Sequence, residues 1–248
     1  MLESWLGLAL ILVAAGVYLA GVLPRKKVAM ALRPISALVK LRRALGLSVE
    51  EGTRMHVSLG RANFLTPANA SGLTALSALQ QITRMSAISD RPPIATSGDP
   101  VLALLSQDAA QAVNRQQNSA DDVEAARSQL AGVTPFAYAV GALPVIGSEL
   151  VSANLLLGGF GAEAALLLDE AERSHSFLLG ASDSLTGQSI LAAGADEVLY
   201  GEEVFAVPAY LRGGEPYQAS LRAQDVLRWV VIAVLVIGSI LTLLGFNL

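Results

Sequence analysis

A chain of 248 residues has room for one domain of ordinary size with accessory segments. With 53% hydrophobic and 15% charged residues and a mean hydropathy of +0.51, it is more apolar than a typical soluble protein. The absence of cysteine excludes a disulfide, a thiol nucleophile and a thiolate metal site, and two histidines, His56 and His175, are too few for a histidine-built metal centre. The formal net charge of -4 is unevenly placed: residues 1–49 hold Arg25, Lys26, Lys27, Arg33, Lys40, Arg42 and Arg43 against Glu3 alone, and the remainder holds ten arginines, no lysine and twenty acids. Such a basic collar fits anionic lipid headgroups, whereas nucleic acid needs a basic face on the folded part.

Leu6 to Leu23 is an uncharged run of eighteen residues, about the minimum that spans a ~30 Å hydrocarbon core, with Trp5 at its edge as an interfacial aromatic. A cleavable signal peptide carries its positive charges before the apolar run, and here they follow it. The Arg25-Lys26-Lys27 cluster therefore predicts an outside N-terminus and a cytoplasmic continuation. Residues 28–45 mix apolar and basic side chains around Pro34. They fit either an amphipathic segment lying along headgroups, with Arg33, Lys40, Arg42 and Arg43 joining the earlier bases at the lipid, or a linker helix packed on the domain.

Five places then repeat one pattern, a short apolar run closed by glycine: Met55 to Leu59 before Gly60, Ile94 to Ser97 before Gly98, Asn154 to Leu157 before Gly158-Gly159, Phe177 to Leu179 before Gly180, and Val198 to Tyr200 before Gly201. Helix starts follow. Asp99-Pro100 is an N-cap with proline at the first helical position, predicting a helix from Val101 to about Arg115. Leu73, Leu76, Leu79, Ile82, Met85 and Ile88 suggest an apolar helix face. Residues 116–132 are polar and read as a loop with a short helix. Thr134-Pro135 opens a predicted helix over Phe136 to Leu143. Ser182-Asp183-Ser184 offers caps for a helix through Ala193. The order predicts an α/β fold, a Rossmann-like open, mainly parallel sheet of about five strands. Trp229 to Leu244 is again uncharged, with Arg222 and Arg228 before it, which predicts a second transmembrane helix and an outside C-terminus. The expected organisation is a transmembrane helix over 1–24, a basic juxtamembrane segment over 25–49, a cytoplasmic α/β domain over 50–215 and a transmembrane helix over 221–248, in the cell membrane.

In such sheets ligands bind beyond the carboxyl ends of the strands. The candidates there are Gly60, Arg61, Gly98, Asp99, Gly159, Gly161, Glu163, Ser182, Asp183, Ser184 and Glu202. GGFGAE can turn backbone N–H groups toward an anion, yet it is neither GxGxxG nor a phosphate loop, and glycine ending a strand with an acid at a helix start explains it equally. The acids Asp99, Asp183, Glu202 and Glu203 read as helix caps without a metal, and no GxSxG elbow surrounds Ser182 or Ser184. No catalytic residue, metal or cofactor is assigned, and the expectation is a non-enzymatic protein. His56, alternating with Met55 and Val57, reads as a hydrogen-bonded structural residue.

The motifs GTRMHVSLG near residue 52, SDRPPIATSGD near 89, TPFAYAVGALPVI at 134, ANLLLGGFGAEAALL at 153, GASDSLTGQ at 180 and LRAQDVLRW at 221 give the chain a resemblance to an uncharacterised family of prokaryotic membrane proteins. The resemblance covers most of residues 50–230. It implies an intact α/β domain and transfers no activity. The expected role is a homo-oligomeric scaffold or an accessory subunit of a membrane complex, with the lipid bilayer and other copies or membrane-complex subunits as partners and no nucleic acid. The alternative is a ligand-sensing or nucleotide-binding module using the strand-end crevice.

Overall fold

The computed structural model describes residues 7, 11–19, 33–61, 70–87, 89, 91–116, 127–148, 150–211 and 214–243. The chain divides into two units, Arg33–Leu211 and a second made of Met1–Leu32 with Arg212–Leu248. The first unit is an α/β domain. Its strands β1 (Arg54–Gly60), β2 (Ile94–Ser97), β3 (Arg127–Leu130), β4 (Val151–Gly159), β5 (Phe177–Ser182) and β6 (Glu197–Leu199) pair in parallel throughout, in the order β3-β2-β1-β4-β5-β6. That order reverses direction between β1 and β4, as in doubly wound dinucleotide-binding sheets.

Alternation along the strands sorts the two faces. Met55, Val57, Leu59, Ala153, Leu155, Leu157, Leu179 and Ala181 pack on one side, against Leu38, Leu41 and Leu45 of α2 (Ser36–Glu50), Ala75, Ala78, Leu79 and Ile82 of α3 (Ala70–Met85), Leu102 of α4 (Pro100–Gln116), and Val204 and Val207 of α8 (Glu203–Tyr210). On the other side Leu156 and Leu178 meet Tyr138, Ala139, Ala142 and Ile146 of α5 (Pro135–Ile146), Ala164, Leu167 and Ala171 of α6 (Ala164–Arg173), and Leu191 of α7 (Leu185–Gly194). Parallel strands need both faces covered, and both are.

Three expectations change. Among the described residues the sheet has six strands, because β3 lies in the polar stretch read as a loop with a short helix. As the outer strand of the sheet it buries Ser128 and exposes Arg127, Gln129 and Leu130, so it has no apolar run to announce it. The α/β unit begins at Arg33 rather than residue 50 and ends at Leu211 rather than 215. Its extra helix, α2, turns its leucines into the core, so over residues 36–50 the packed linker helix is the arrangement found. In α3 the expected face holds through Leu76, Leu79, Ile82 and Met85, which pack on the core beside Ala75 and Ala78; only Leu73 stands exposed, because a strict three-residue spacing drifts off a 3.6-residue helix, and residue 88 lies outside the described residues.

In the second unit residues 11–19 are helical (α1), with Ile11, Leu12 and Leu19 exposed. Helix α9 (Glu215–Leu243) contains a stretch, Pro216–Ile240, long and apolar enough to cross a membrane, with only 6% of its most apolar window buried. Among the described residues it is the one helix that meets that test. Of the expected first span, Leu6 to Leu23, residues 6, 8–10 and 20–23 lie outside the described residues.

Candidate functional site

At the switch point the strand ends approach so closely that side chains are excluded. Gly60 has φ +63°, and a Cβ on it would lie 2.8 Å from the Gly159 carbonyl oxygen. A Cβ on Gly158, at φ +151°, would fall well inside 3.0 Å of the Leu59 carbonyl, closer than real Cβ atoms come. The Arg61 N–H donates to the Gly159 carbonyl at 2.9 Å, and the Gly98 N–H to the Gly60 carbonyl at 2.9 Å. The Arg61 side chain lies across Gly98, where a Cβ would collide with its Cγ and come within 3.2 Å of the Tyr138 ring. Asp183 Oδ1 stands 3.6 Å from the Cβ position of Gly159, and its Oδ2 accepts from the Ser71 hydroxyl of α3 at 2.6 Å. Gly60, Arg61, Gly98, Gly159 and Asp183 thus form one cluster.

The remaining candidates serve the loops around it. Asp99 Oδ1 accepts from the Leu102 N–H at 2.9 Å and caps α4. Ser182 Oγ accepts from the N–H groups of Phe160 at 3.3 Å and Ser184 at 3.2 Å. Ser184 Oγ accepts from the Gly187 N–H at 2.9 Å, capping α7, and donates to the Phe160 carbonyl. Glu163 is buried at the start of α6, and a Cβ on Gly161 would sit 2.7 Å from its Oε2. Glu202 precedes α8, beyond the end of β6, apart from the switch point. Among the described residues Arg61 Nε is buried with no hydrogen-bond partner. Ser184→Ala removes a cap and the tie to Phe160 together, and should cost about 1–2 kcal/mol in a denaturant titration; an unchanged midpoint would assign that hydroxyl no structural role.

The bases read for lipid divide similarly. Arg33 pairs with Glu203 at 2.6 Å and Lys40 with Glu197, both within the α/β unit, while Arg42 and Arg43 are exposed on α2. Arg25, Lys26 and Lys27 lie outside the described residues.

Sequence reading missed a buried polar chain that crosses the sheet beneath α5. His56 of β1 donates from Nδ1 to Asn154 Oδ1 of β4 at 2.9 Å, and Asn154 Nδ2 donates on to Ser176 Oγ at 2.7 Å. On its other side His56 Nε2 accepts from the Thr96 hydroxyl of β2 at 2.9 Å. Tyr138 meets Thr96 at 3.5 Å and Ser58 more closely, with the Gly60 backbone as a further partner. His56, Ser58, Thr96, Tyr138 and Asn154 are fully buried. Burial lowers the His56 pKa to about 4, against a smaller opposing effect of Asn154, so the ring is neutral at pH 7; burial raises that of the Tyr138 phenol. Tyr138 also stacks obliquely on Phe160, with ring centroids 6.5 Å apart, tying α5 to the loop after β4. The available signal was a polar residue at alternate positions of Met55 to Leu59, together with Asn154 inside an apolar run.

A cleft of about 540 Å³ opens at the opposite, amino end of β5, bordered by Glu172, His175, Ser176, Phe177, Gly194 and Asp196. Asp196 already accepts from the Leu178 N–H at 2.8 Å. Among the described residues no group of three His, Asp or Glu side chains is placed to hold a metal ion.

A family model described as a domain of unknown function (DUF6754) matches residues 1–248. No curated protein matches the chain. Among solved structures the chain is similar to the N-terminal domain of the Candida albicans trehalose-6-phosphate phosphatase, at 10% identity and a TM-score of 0.35, covering 87% of this chain and 48% of that one. The chain spans about half the length of that relative, and a likeness so loose carries no functional argument.

Proposed function

We propose, for a chain that belongs to the DUF6754 family, a non-enzymatic role as a homo-oligomeric scaffold of the cell membrane, with the α/β unit on the cytoplasmic side and both termini outside. Helix α9 supports the anchor, and the uncharged run from Leu6 to Leu23 followed by Arg25-Lys26-Lys27 supports a second span in the opposite direction. The observation that carries the scaffold reading is the surface of the α/β unit, where Leu104, Val133, Phe136, Val140 and Leu185 stand 58–80% exposed. Meanwhile Asp99, Ser182 and Ser184 of the crevice are engaged with their own loops and Asp183 with Ser71 of α3. Side chains that hold a turn are poorly free to hold a substrate. Membrane tethering also raises the effective concentration of neighbouring copies, so modest contacts suffice for assembly.

Light scattering on the full-length protein in mild detergent tests this. The expected result is a discrete assembly well above the 25.8 kDa chain that persists on dilution. A monomer would turn the assignment toward the crevice. That second reading, an anionic ligand or nucleotide at the switch point, is favoured by the buried, unpartnered Arg61 Nε. It would show as thermal stabilisation by inorganic phosphate or a nucleotide that is lost in Arg61→Ala.

A further inference from the structure

Residues 128–148 form an uncharged stretch of 21 residues that contains most of β3 and all of α5. One side of α5 is buried through Tyr138, Ala139, Ala142, Val145 and Ile146. The opposite side is equally apolar: Phe136, Ala137, Val140 and Pro144 are exposed, and Val133, just before the helix, adds to the patch. A helix apolar on both sides is unusual on a soluble surface, where one stripe faces the core and the other is polar. The patch also has a rigid base, because Gly141 lets α5 close onto Ala131 and Gly132 lets the preceding loop close onto Ala137 and Tyr138: a Cβ at either would fall well inside 3.0 Å of backbone atoms.

We propose that this face of α5, with Val133, is the surface on which a second copy of the chain docks about a two-fold axis. The inference rests on the scaffold reading above and names its contact. At roughly 80 Å² per exposed side chain the five residues offer about 400 Å² of apolar surface, enough for the dry centre of an interface of ~800 Å² per partner. A two-fold contact presents each patch to itself, so charge decides which faces can do this. Residues 50–248 carry twenty acids against ten arginines, and faces bearing that excess repel their own copies; the α5 patch carries no charge and meets itself at no such cost. A bilayer is the poorer occupant, because interfacial helices flank their apolar face with lysine and arginine and α5 has neither.

The chain has no cysteine, so Val140→Cys introduces a single thiol into the full-length protein. A bis-maleimide should then give a covalent dimer, in native membranes and in dilute detergent, while Leu185→Cys on exposed α7 should not. Phe136→Glu combined with Val140→Glu should halve the mass in light scattering with the far-UV circular dichroism unchanged, since both positions are exposed. If the wild-type assembly survives that double substitution and Val140→Cys does not cross-link, the surface assigned here is wrong and the scaffold reading stands. A wild-type monomer without cross-links overturns both. Quenching of a fluorophore on the Val140→Cys thiol by brominated lipid would make the bilayer the occupant, and conjugation to a different protein would make the partner heterologous; either result overturns the inference.

Discussion

Gly158→Ala is expected to destabilise the α/β unit by about 4 kcal/mol, and Gly201→Ala by only about 1 kcal/mol. Both glycines have positive φ, +151° and +57°, so both substitutions carry backbone strain. They differ in surroundings: a Cβ at 158 collides with the Leu59 carbonyl, and a Cβ at 201 has nothing within 4 Å. The Leu59 carbonyl belongs to β1, whose ladder to β4 is the centre of the sheet, so relief means parting the two central strands. A loss of this size is a large share of the 5–15 kcal/mol that usually holds a domain together. The measurement is denaturant unfolding of the full-length protein in mild detergent, followed by far-UV circular dichroism. Tryptophan fluorescence would not serve, because Trp5 and Trp229 both lie outside the α/β unit. Equal, small losses at the two positions would mean that the switch point is not packed as described.

The same glycines explain what could be read from sequence. Wherever a strand was both apolar and closed by glycine, its place was legible, because burial on two faces and the turn that ends the strand are both written locally. Leu155 to Gly180, the strand-helix-strand unit from β4 to β5, is the clearest case, and the caps at Asp99, Thr134 and Ser184 fixed the starts of α4, α5 and α7. β3 failed that test. At the edge of the sheet it needs no apolar alternation, and a four-residue Arg-Ser-Gln-Leu segment can be placed only by its partner Ile94–Ser97.

The candidate site was legible as a location and not as a set of interactions. Gly60, Arg61, Gly98, Gly159 and Asp183 do meet at the strand ends, as the fold class requires. What sequence could not convey is that Ser71 of α3, 112 residues earlier in the chain, would hold Asp183, or that Tyr138 of α5 would reach Ser58 and Thr96. Those partners are distant in sequence and meet only through packing. The polar side of β1 shows the same limit. His56 and Ser58 alternate with Met55, Val57 and Leu59 as they would in a strand with one wet face, and only the covering helix α5 makes that face dry.

A dry histidine has a measurable consequence. His56 is held neutral: Thr96 donates to its Nε2, it donates from Nδ1 to Asn154, and those hydrogen-bonding neighbours are uncharged, so protonation would displace the Thr96 proton and place a charge in the core. Its pKa in the folded protein is about 4, against 6.5 when unfolded. With the folded value depressed, the unfolded chain binds the extra proton between these limits, so stability rises with pH across that window and falls on acidification. Above about pH 7 the residue contributes no slope; from pH 6.5 down to about 4 it should remove about 3 kcal/mol. Carboxylates add their own losses, so the comparison is between the wild type and His56→Gln, in unfolding free energies measured from pH 7.5 to 4. At pH 7.5 the variant should be weaker by about 2–3 kcal/mol, because Thr96 and Asn154 lose well-placed partners in a site without water. As the pH falls the two curves should converge, because only the wild type has a histidine to protonate on unfolding. Parallel curves would mean that folding does not depress the His56 pKa and the ring is hydrated in the native state, and curves that diverge on acidification would mean a native imidazolium; either would require the buried chain from Ser176 to Tyr138 to be redrawn.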